Sequence, residues 1–274
     1  MPGEDLDSAL KAAGALAQDH IGTVLTSLGE RVVNAQEANA VEQHYRDVAA
    51  AIRARSLPAH VSVKLTHLGL DLDPAACGRR VEGLADAASA GGSFLWIDME
   101  ESEYVDRTLE IYRQVRAKQP AVGVCLQAYL RRTPSDLDAL ARLGAAIRLV
   151  KGAYREPPTV ALPSKRDVDS AYVAQAQRLL ELRAAGGLAP AFGTHDLRII
   201  EEVRARAAAL GLRAVGFEVH MLYGIKAGEL RRLAGAGVTC RVLISYGTHW
   251  FPWYMRRLAE RPANVWFVVR NLIP

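Results

Sequence analysis

The feature that most constrains the fold is a phrase that repeats along the chain. A short apolar, β-branched run ends in a polar residue or glycine, and an amphipathic segment rich in alanine and leucine follows. The runs are TVLTSLGE (23–30), HVSVKLTHLG (60–69), SFLWIDME (93–100), AVGVCLQAYL (121–130), AAIRLVKGAY (145–154), APAFGTHD (189–196), RAVGFEVHML (213–222) and GVTCRVLISYG (237–247). Between them, segments such as VDRTLEIYRQVRAK (105–118) and LRIIEEVRARAAALG (197–211) repeat Leu, Ile and Ala at three- and four-residue spacing. That is the period of a helix with one buried face. Strands that alternate with helices build a parallel sheet. Eight such units in 274 residues predict an α/β chain folded as one (β/α)8 TIM-type barrel domain. A doubly wound open sheet is the runner-up. Against it, no GxGxxG follows the first strand and no GxxxxGK[ST] occurs. Residues 1–22 read as a leading helix with Leu6, Leu10 and Ala13 on one face, and residues 23–274 as the barrel.

Charge and cysteine usage narrow the function classes. The formal charge is +4, spread along the chain without a lysine-rich tail, so no nucleic-acid partner is expected. Cys77, Cys125 and Cys240 form no CxxC and no metal spacing, so no metal site is expected and a reducing compartment fits. The N-terminus carries early acids and lacks the pattern of a signal peptide, and no apolar run is long enough to span a bilayer. A soluble cytoplasmic protein is expected, with peripheral contact at the inner membrane face left open. Nothing in the sequence fixes an oligomeric state.

In a barrel of this kind, chemistry gathers at the C-terminal ends of the strands. Read in order, those ends carry Glu30, Lys64, Asp98 with Glu100, Gln127, Arg148 with Lys151, His195, and Glu218 with His220. Each alone is most simply a solvated loop charge; the recurrence in every unit argues for a site. Arg256 and Arg257 follow YGTHWFPWYM, which packs five aromatics into nine residues. Two guanidinium groups under an aromatic cover suit a carboxylate or phosphate, with a structural ion-pair network as the even alternative. Lys64 alternates with Ser62 opposite Val61, Val63 and Leu65, which turns it inward. There it can pair with an acid such as Asp98, bind an anion, or form a Schiff base. Arg148 and Val150 face one way, and Leu149 and Lys151 the other, until Gly152 bends the chain. Two cations beside a glycine that admits close backbone approach suit a phosphate or a flavin.

These motifs in this order resemble the proline dehydrogenase family. The likeness runs from LGE at 28–30 to the C-terminus. It is carried by VSVKL (61–65), IDMEES (97–102), LQAYLRRT (126–133), RLVKGAY (148–154), GTHD (193–196), FEVHMLYGI (217–225) and YGTHWFPWYMRRLAERPAN (246–264). The resemblance implies a barrel that binds FAD without a Rossmann fold. It implies oxidation of L-proline to Δ1-pyrroline-5-carboxylate by hydride transfer to flavin N5, and re-oxidation by a quinone or another electron acceptor. By position, Arg256, Arg257 and Lys64 would hold the substrate carboxylate, and Asp98 would keep Lys64 charged and oriented. Glu30 would pair with Arg256 as an ionic gate. Tyr246, Leu243 and Leu222 would line the substrate pocket. Arg148 would lie near flavin N5 with Gln127 on the isoalloxazine. Lys151, Gly152, Ala153 and Glu218 would support the cofactor, Thr194 and His195 would meet its ribityl-adenine half, and Lys165 its pyrophosphate. Tyr129 and Tyr154 would stand behind this set.

The sequence departs from the family pattern in places. On the eighth strand RVLISYG stands where the family usually reads RVYVPYG, so Leu243 replaces a tyrosine and Ser245 a proline. On the seventh, Val219 and His220 replace Phe and Gln. Removing a tyrosine frees space and deletes a hydroxyl, which opens hydroxyproline or another cyclic imino acid as an alternative substrate. His220 reads as a core histidine before a flavin contact. Two further alternatives are a Schiff-base lyase using Lys64 or Lys151, and a non-catalytic amino-acid-binding barrel.

Overall fold

The computed structural model describes residues 1–187, 190–248 and 250. Its strands are β1 (Gly22–Ser27), β2 (Ala59–Val63), β3 (Leu95–Ile97), β4 (Val122–Gln127), β5 (Ala146–Val150), β6 (Ala191–Gly193), β7 (Glu218–Leu222) and β8 (Thr239–Tyr246). They pair in chain order, all parallel, and β8 returns to β1 from Gly22↔Arg241 to Ser27↔Tyr246. The barrel is closed, as the eight repeated phrases predict, and the open sheet is excluded.

Helices α1 (Leu6–Gln18), α2 (Ala35–Ala54), α3 (Pro74–Ala90), α4 (Val105–Arg116), α5 (Thr133–Ala141), α6 (Lys165–Ala184), α7 (Leu197–Ala209) and α8 (Ala227–Gly235) surround it. Their starts are set by side chains that take up the free N–H groups of a first turn. Asp5, Asn34, Asp73, Ser164 and Asp196 each accept such a bond, and Pro74 opens α3, where a missing N–H costs nothing. Helix α1 lays Ala9, Leu10 and Ala13 over β1 and β8, covering the seam where the barrel closes.

The register divides each strand between two cores, because paired residues in a parallel sheet face the same side. One set, including Val61, Val63, Ile97, Val124, Leu126, Ile147 and Leu149, faces the helices and joins the main apolar core. The other fills the barrel in tiers drawn from alternate strands. Val24, Trp96, Ala146 and Ala191 form a small apolar cluster there, with Phe94 and Leu243 against it. The polar residues of the interior lie above and below that cluster.

Candidate active site

The C-terminal mouth is organised around Asp98. It sits one step beyond the last register pair of β2 and β3, Val63↔Ile97, and its N–H still donates to the Val63 carbonyl at 2.8 Å. The preceding strands therefore fix the side chain. Ser62 Oγ donates to Asp98 Oδ1 at 2.8 Å, and Arg148 Nη2 bonds the same oxygen and Ser62 Oγ, the latter at 3.0 Å. Lys64 Nζ stands 3.7 Å from Oδ2. Arg148 is only 4 % exposed. Burial works against its charge, but Asp98, Cys125 and Glu218 together offset that and raise the guanidinium above its ordinary value. Its Cζ also lies 5.1 Å from the Trp96 ring centroid, a cation–π placement. Lys64 and Arg148 thus share a single carboxylate, Asp98.

Beside this cluster, Gln127 is 2 % exposed and its Oε1 has no hydrogen-bond partner among the described residues. A buried acceptor left open is costly unless a donor arrives. Lys151 faces outward, as alternation predicts. Its Nζ bonds Asp169 and lies 3.5 Å from Asp196, while Lys165, the first residue of α6, bonds Asp169 from solvent. Burial favours neutral Asp169 and Asp196, but Lys151 and Lys165 hold Asp169, and Lys151 and Arg198 hold Asp196, below the usual carboxylate range. Gly152 has φ +113°, and a Cβ there would lie 2.2 Å from the Tyr129 ring. The close approach this glycine permits is thus filled by Tyr129, whose hydroxyl donates to the Tyr154 carbonyl at 3.2 Å. Ala153 follows in the long β5–α6 loop, residues 151–164. Thr194 Oγ1 accepts from Asp196 N at 3.1 Å, and His195 Nε2 accepts from Leu222 N at 2.9 Å. Glu30 lies in the loop after β1, and Leu222 ends β7 on the inner face, paired with Leu243.

Two expected positions are corrected. Glu218 is not at a C-terminal strand end. It is the first residue of β7, at the opposite end of the barrel, because the stretch before it forms a 3-10 turn, Ala214–Gly216. There Arg241 Nε donates to its Oε2 at 2.9 Å and His220 Nε2 lies 2.8 Å from the same oxygen. Burial alone would raise the Glu218 carboxyl, but His220 and Arg241 hold it well below the usual carboxylate range. Burial pushes His220 below its ordinary value, so the neutral ring donates to Glu218. His220 is the core histidine of the simpler reading, edge-on to Trp96 with 5.9 Å between ring centroids. Tyr246 is the second correction. In β8 the inward residues are Arg241, Leu243 and Ser245, so Tyr246 faces the helices, where its hydroxyl meets His44 Nε2 of α2 at 2.8 Å. It does not line the substrate mouth.

Three participants escape a reading of the sequence alone: Ser62 as the bridge between Asp98 and Arg148, Trp96 as the face beneath Arg148, and the His60–Trp96 bond of 3.2 Å. Strand parity is the signal that could have found them, since all three share the inward face with Lys64 and Asp98. Arg256 and Arg257 lie outside the described residues. Among the described residues no cluster of His, Cys, Asp and Glu could hold a metal, and no helix is long and apolar enough to cross a membrane.

Comparison with known proteins follows the same lines. The profile of the family described as proline dehydrogenase matches residues 9–270. The chain belongs to that family. It is 35 % identical to proline dehydrogenase 1 of Bacillus subtilis subsp. natto, over 99 % of this chain and 88 % of that one. It is 37 % identical to the proline dehydrogenase of Deinococcus radiodurans, with the same two coverages. Among solved structures, proline utilization A of Bdellovibrio bacteriovorus, inactivated by N-propargylglycine, superposes with a TM-score of 0.87 at 23 % identity. It covers 95 % of this chain, which spans 32 % of that longer one, and shares its fold. Matches of this length at this identity fit a monofunctional bacterial proline dehydrogenase, and they give the Asp98 cluster an enzymatic setting.

Proposed function

We propose that the chain oxidises L-proline to Δ1-pyrroline-5-carboxylate with FAD as the hydride acceptor. The observation that carries this reading is the Asp98 cluster: Arg148 and Lys64 share one carboxylate at the mouth of a barrel whose family acts on proline. Two cations that share one carboxylate suit a carboxylate substrate and an electron-rich ring. The residues also fit an isoalloxazine. Gln127 offers a buried acceptor for a ring N–H, and the fixed Arg148 guanidinium favours negative charge on the ring system. FAD, when bound, supplies an acceptor at N5 for hydride from the ring carbon next to nitrogen.

The protein's part is capture, orientation and exclusion of water. Lys64, steadied by Asp98, takes the substrate carboxylate together with Arg256 and Arg257. Arg148 is locked from below by Asp98, Ser62 and Trp96, so its position does not depend on the ligand. Lys151, Gly152, Ala153, Thr194, His195 and Lys165 line the β5–α6 and β6–α7 side, where the rest of the cofactor would run. Glu30 closes the mouth over the bound acid. Leu222 and Leu243 give the ring an apolar wall. The amine enters neutral, so no strong base is needed; as C=N forms, the nitrogen proton passes to solvent. Fixed orientation supplies most of the acceleration. A quinone is the acceptor that fits the family resemblance, which would bring the protein to a membrane surface.

Turnover with L-proline and an artificial electron acceptor tests the reading. Stoichiometric appearance of the cyclic imine is expected. Turnover of trans-4-hydroxy-L-proline alone would move the assignment to the alternative substrate. Failure with both would overturn it.

A further inference from the structure

Glu100 is a buried carboxyl that the mechanism above does not use. It lies two residues past Asp98 and is 1 % exposed. Both of its oxygens face Thr66, which begins the short turn Thr66–Leu68 after Lys64. Thr66 N donates to Oε1 at 3.0 Å, and Thr66 Oγ1 donates to Oε2 at 2.5 Å. On its other side Thr66 holds the loop after β1. Arg31 N donates to Thr66 Oγ1 at 3.2 Å, and Val32 N donates to the Thr66 carbonyl at 3.3 Å. Thus one hydroxyl joins the Glu100 carboxylate to the backbone next to Glu30.

The direction of that hydroxyl proton matters. Arg31 N–H takes a lone pair of Thr66 Oγ1, so the threonine proton must find its acceptor elsewhere. Glu100 Oε2 serves only while it carries no proton. A proton on Oε2 would aim at the same threonine oxygen and leave the threonine proton without a partner. Arg31 also has φ +52°, the left-handed region that a non-glycine residue keeps only when its surroundings hold it. The loop therefore stores strain that the Thr66 bonds restrain.

We propose that Glu100 is a positioning residue: through Thr66 it tethers the 30–32 segment, and with it Glu30, over the substrate mouth, and protonation of Glu100 slackens the tether. The proposal rests on the reading of Glu30 as the gate. The groups facing Glu100 are Thr66, Lys64 at the end of β2, Glu30 on the tethered loop and Cys77 on α3. Burial is the largest influence on it, opposed by the Thr66 bonds and by Lys64 and reinforced by Glu30, and it pushes the carboxyl up to about 7. The tether is therefore made above about pH 7 and weakened below it. A second fastening limits the effect. The Arg31 guanidinium bonds Glu101 at 3.2 Å and lies 5.8 Å from the Tyr104 ring centroid, and neither contact involves Glu100.

Amide hydrogen exchange over residues 28–33 of the full-length holoenzyme reads the tether directly. In Glu100→Gln, a neutral isostere, exchange at Arg31 and Val32 should rise about fivefold, the size of one net hydrogen bond. The KM for L-proline should rise by about the same factor with kcat little changed, and should lose its dependence on pH between about 6 and about 8. Thr66→Val should do the same and Thr66→Ser should restore the wild-type values; this pair carries the test if Glu100→Gln fails to fold. Unchanged exchange at Arg31 and Val32 in both Glu100→Gln and Thr66→Val would overturn the tether, as would a KM in Glu100→Gln that still follows pH. A Glu30→Gln protein with unaltered KM would overturn the gate reading and the functional half of the proposal, while exchange would still report on the tether itself.

Discussion

Asp98 accepts from Ser62 and Arg148 and pairs with Lys64, and removing it leaves Arg148 charged in a nearly closed interior. Loss of one partner of a buried pair costs about 3–5 kcal/mol. Asp98→Ala should lower the unfolding free energy by that order in a urea titration; an unchanged midpoint would mean another anion meets Arg148. Arg256→Met should raise the KM for proline strongly with flavin content intact, whereas loss of flavin would make that arginine a cofactor ligand. Two carboxyls give opposite pH signatures. Glu218 is held below its unfolded value, so its contribution is present above the ordinary carboxylate range and lost as pH falls through its folded value. Glu100 is raised from 4.5 to about 7, so its contribution is full below about pH 4.5 and lost as pH rises toward about 7. Stability against pH in Glu218→Gln should lose the acid-side fall, and in Glu100→Gln the decline between those values. At this scale the inward facing of Lys64 and Arg148 was legible, because alternation along a short strand decides it. The same alternation, counted from Leu243, turns Tyr246 outward, against the place the family resemblance implies.

Among the elements, β7 shows where the boundary of a strand changes its chemistry. RAVGFEVHML looks like one apolar run, but its first half is a 3-10 turn and the strand begins at Glu218. A charge read as the end of a strand is in fact its start. Turns of that kind leave little mark in hydrophobic periodicity. Helix α1 was legible from Leu6, Leu10 and Ala13; what the sequence did not show is that it covers the β1–β8 seam. Leu10 is 3 % exposed. Leu10→Ala should cost about 2–4 kcal/mol in urea unfolding, the range for a truncated core leucine. A cost within experimental error would mean α1 is docked by its capping and ion pairs rather than by this face.

The whole molecule follows one rule, with apolar strand faces turned to the helices and a polar interior stacked in tiers. The closed barrel could be read from eight repeats alone. The division of its interior into a catalytic mouth and a lower network could not, since His60, Arg241 and Glu218 meet only through the register of three strands. The lower network joins Glu218 to Arg241 and His220, and at the mouth Lys64 and Arg148 share Asp98 beside Gln127, whose Oε1 has no partner among the described residues. The cations at the C-terminal strand ends, where barrels of this kind carry their chemistry, favour that end. The measurement that tests the proposed function most directly is a visible spectrum of the purified protein, followed by anaerobic titration with L-proline. A yellow protein whose flavin absorbance is bleached by proline is expected. A colourless protein that FAD cannot reconstitute, or a yellow one that proline leaves unbleached, would contradict it.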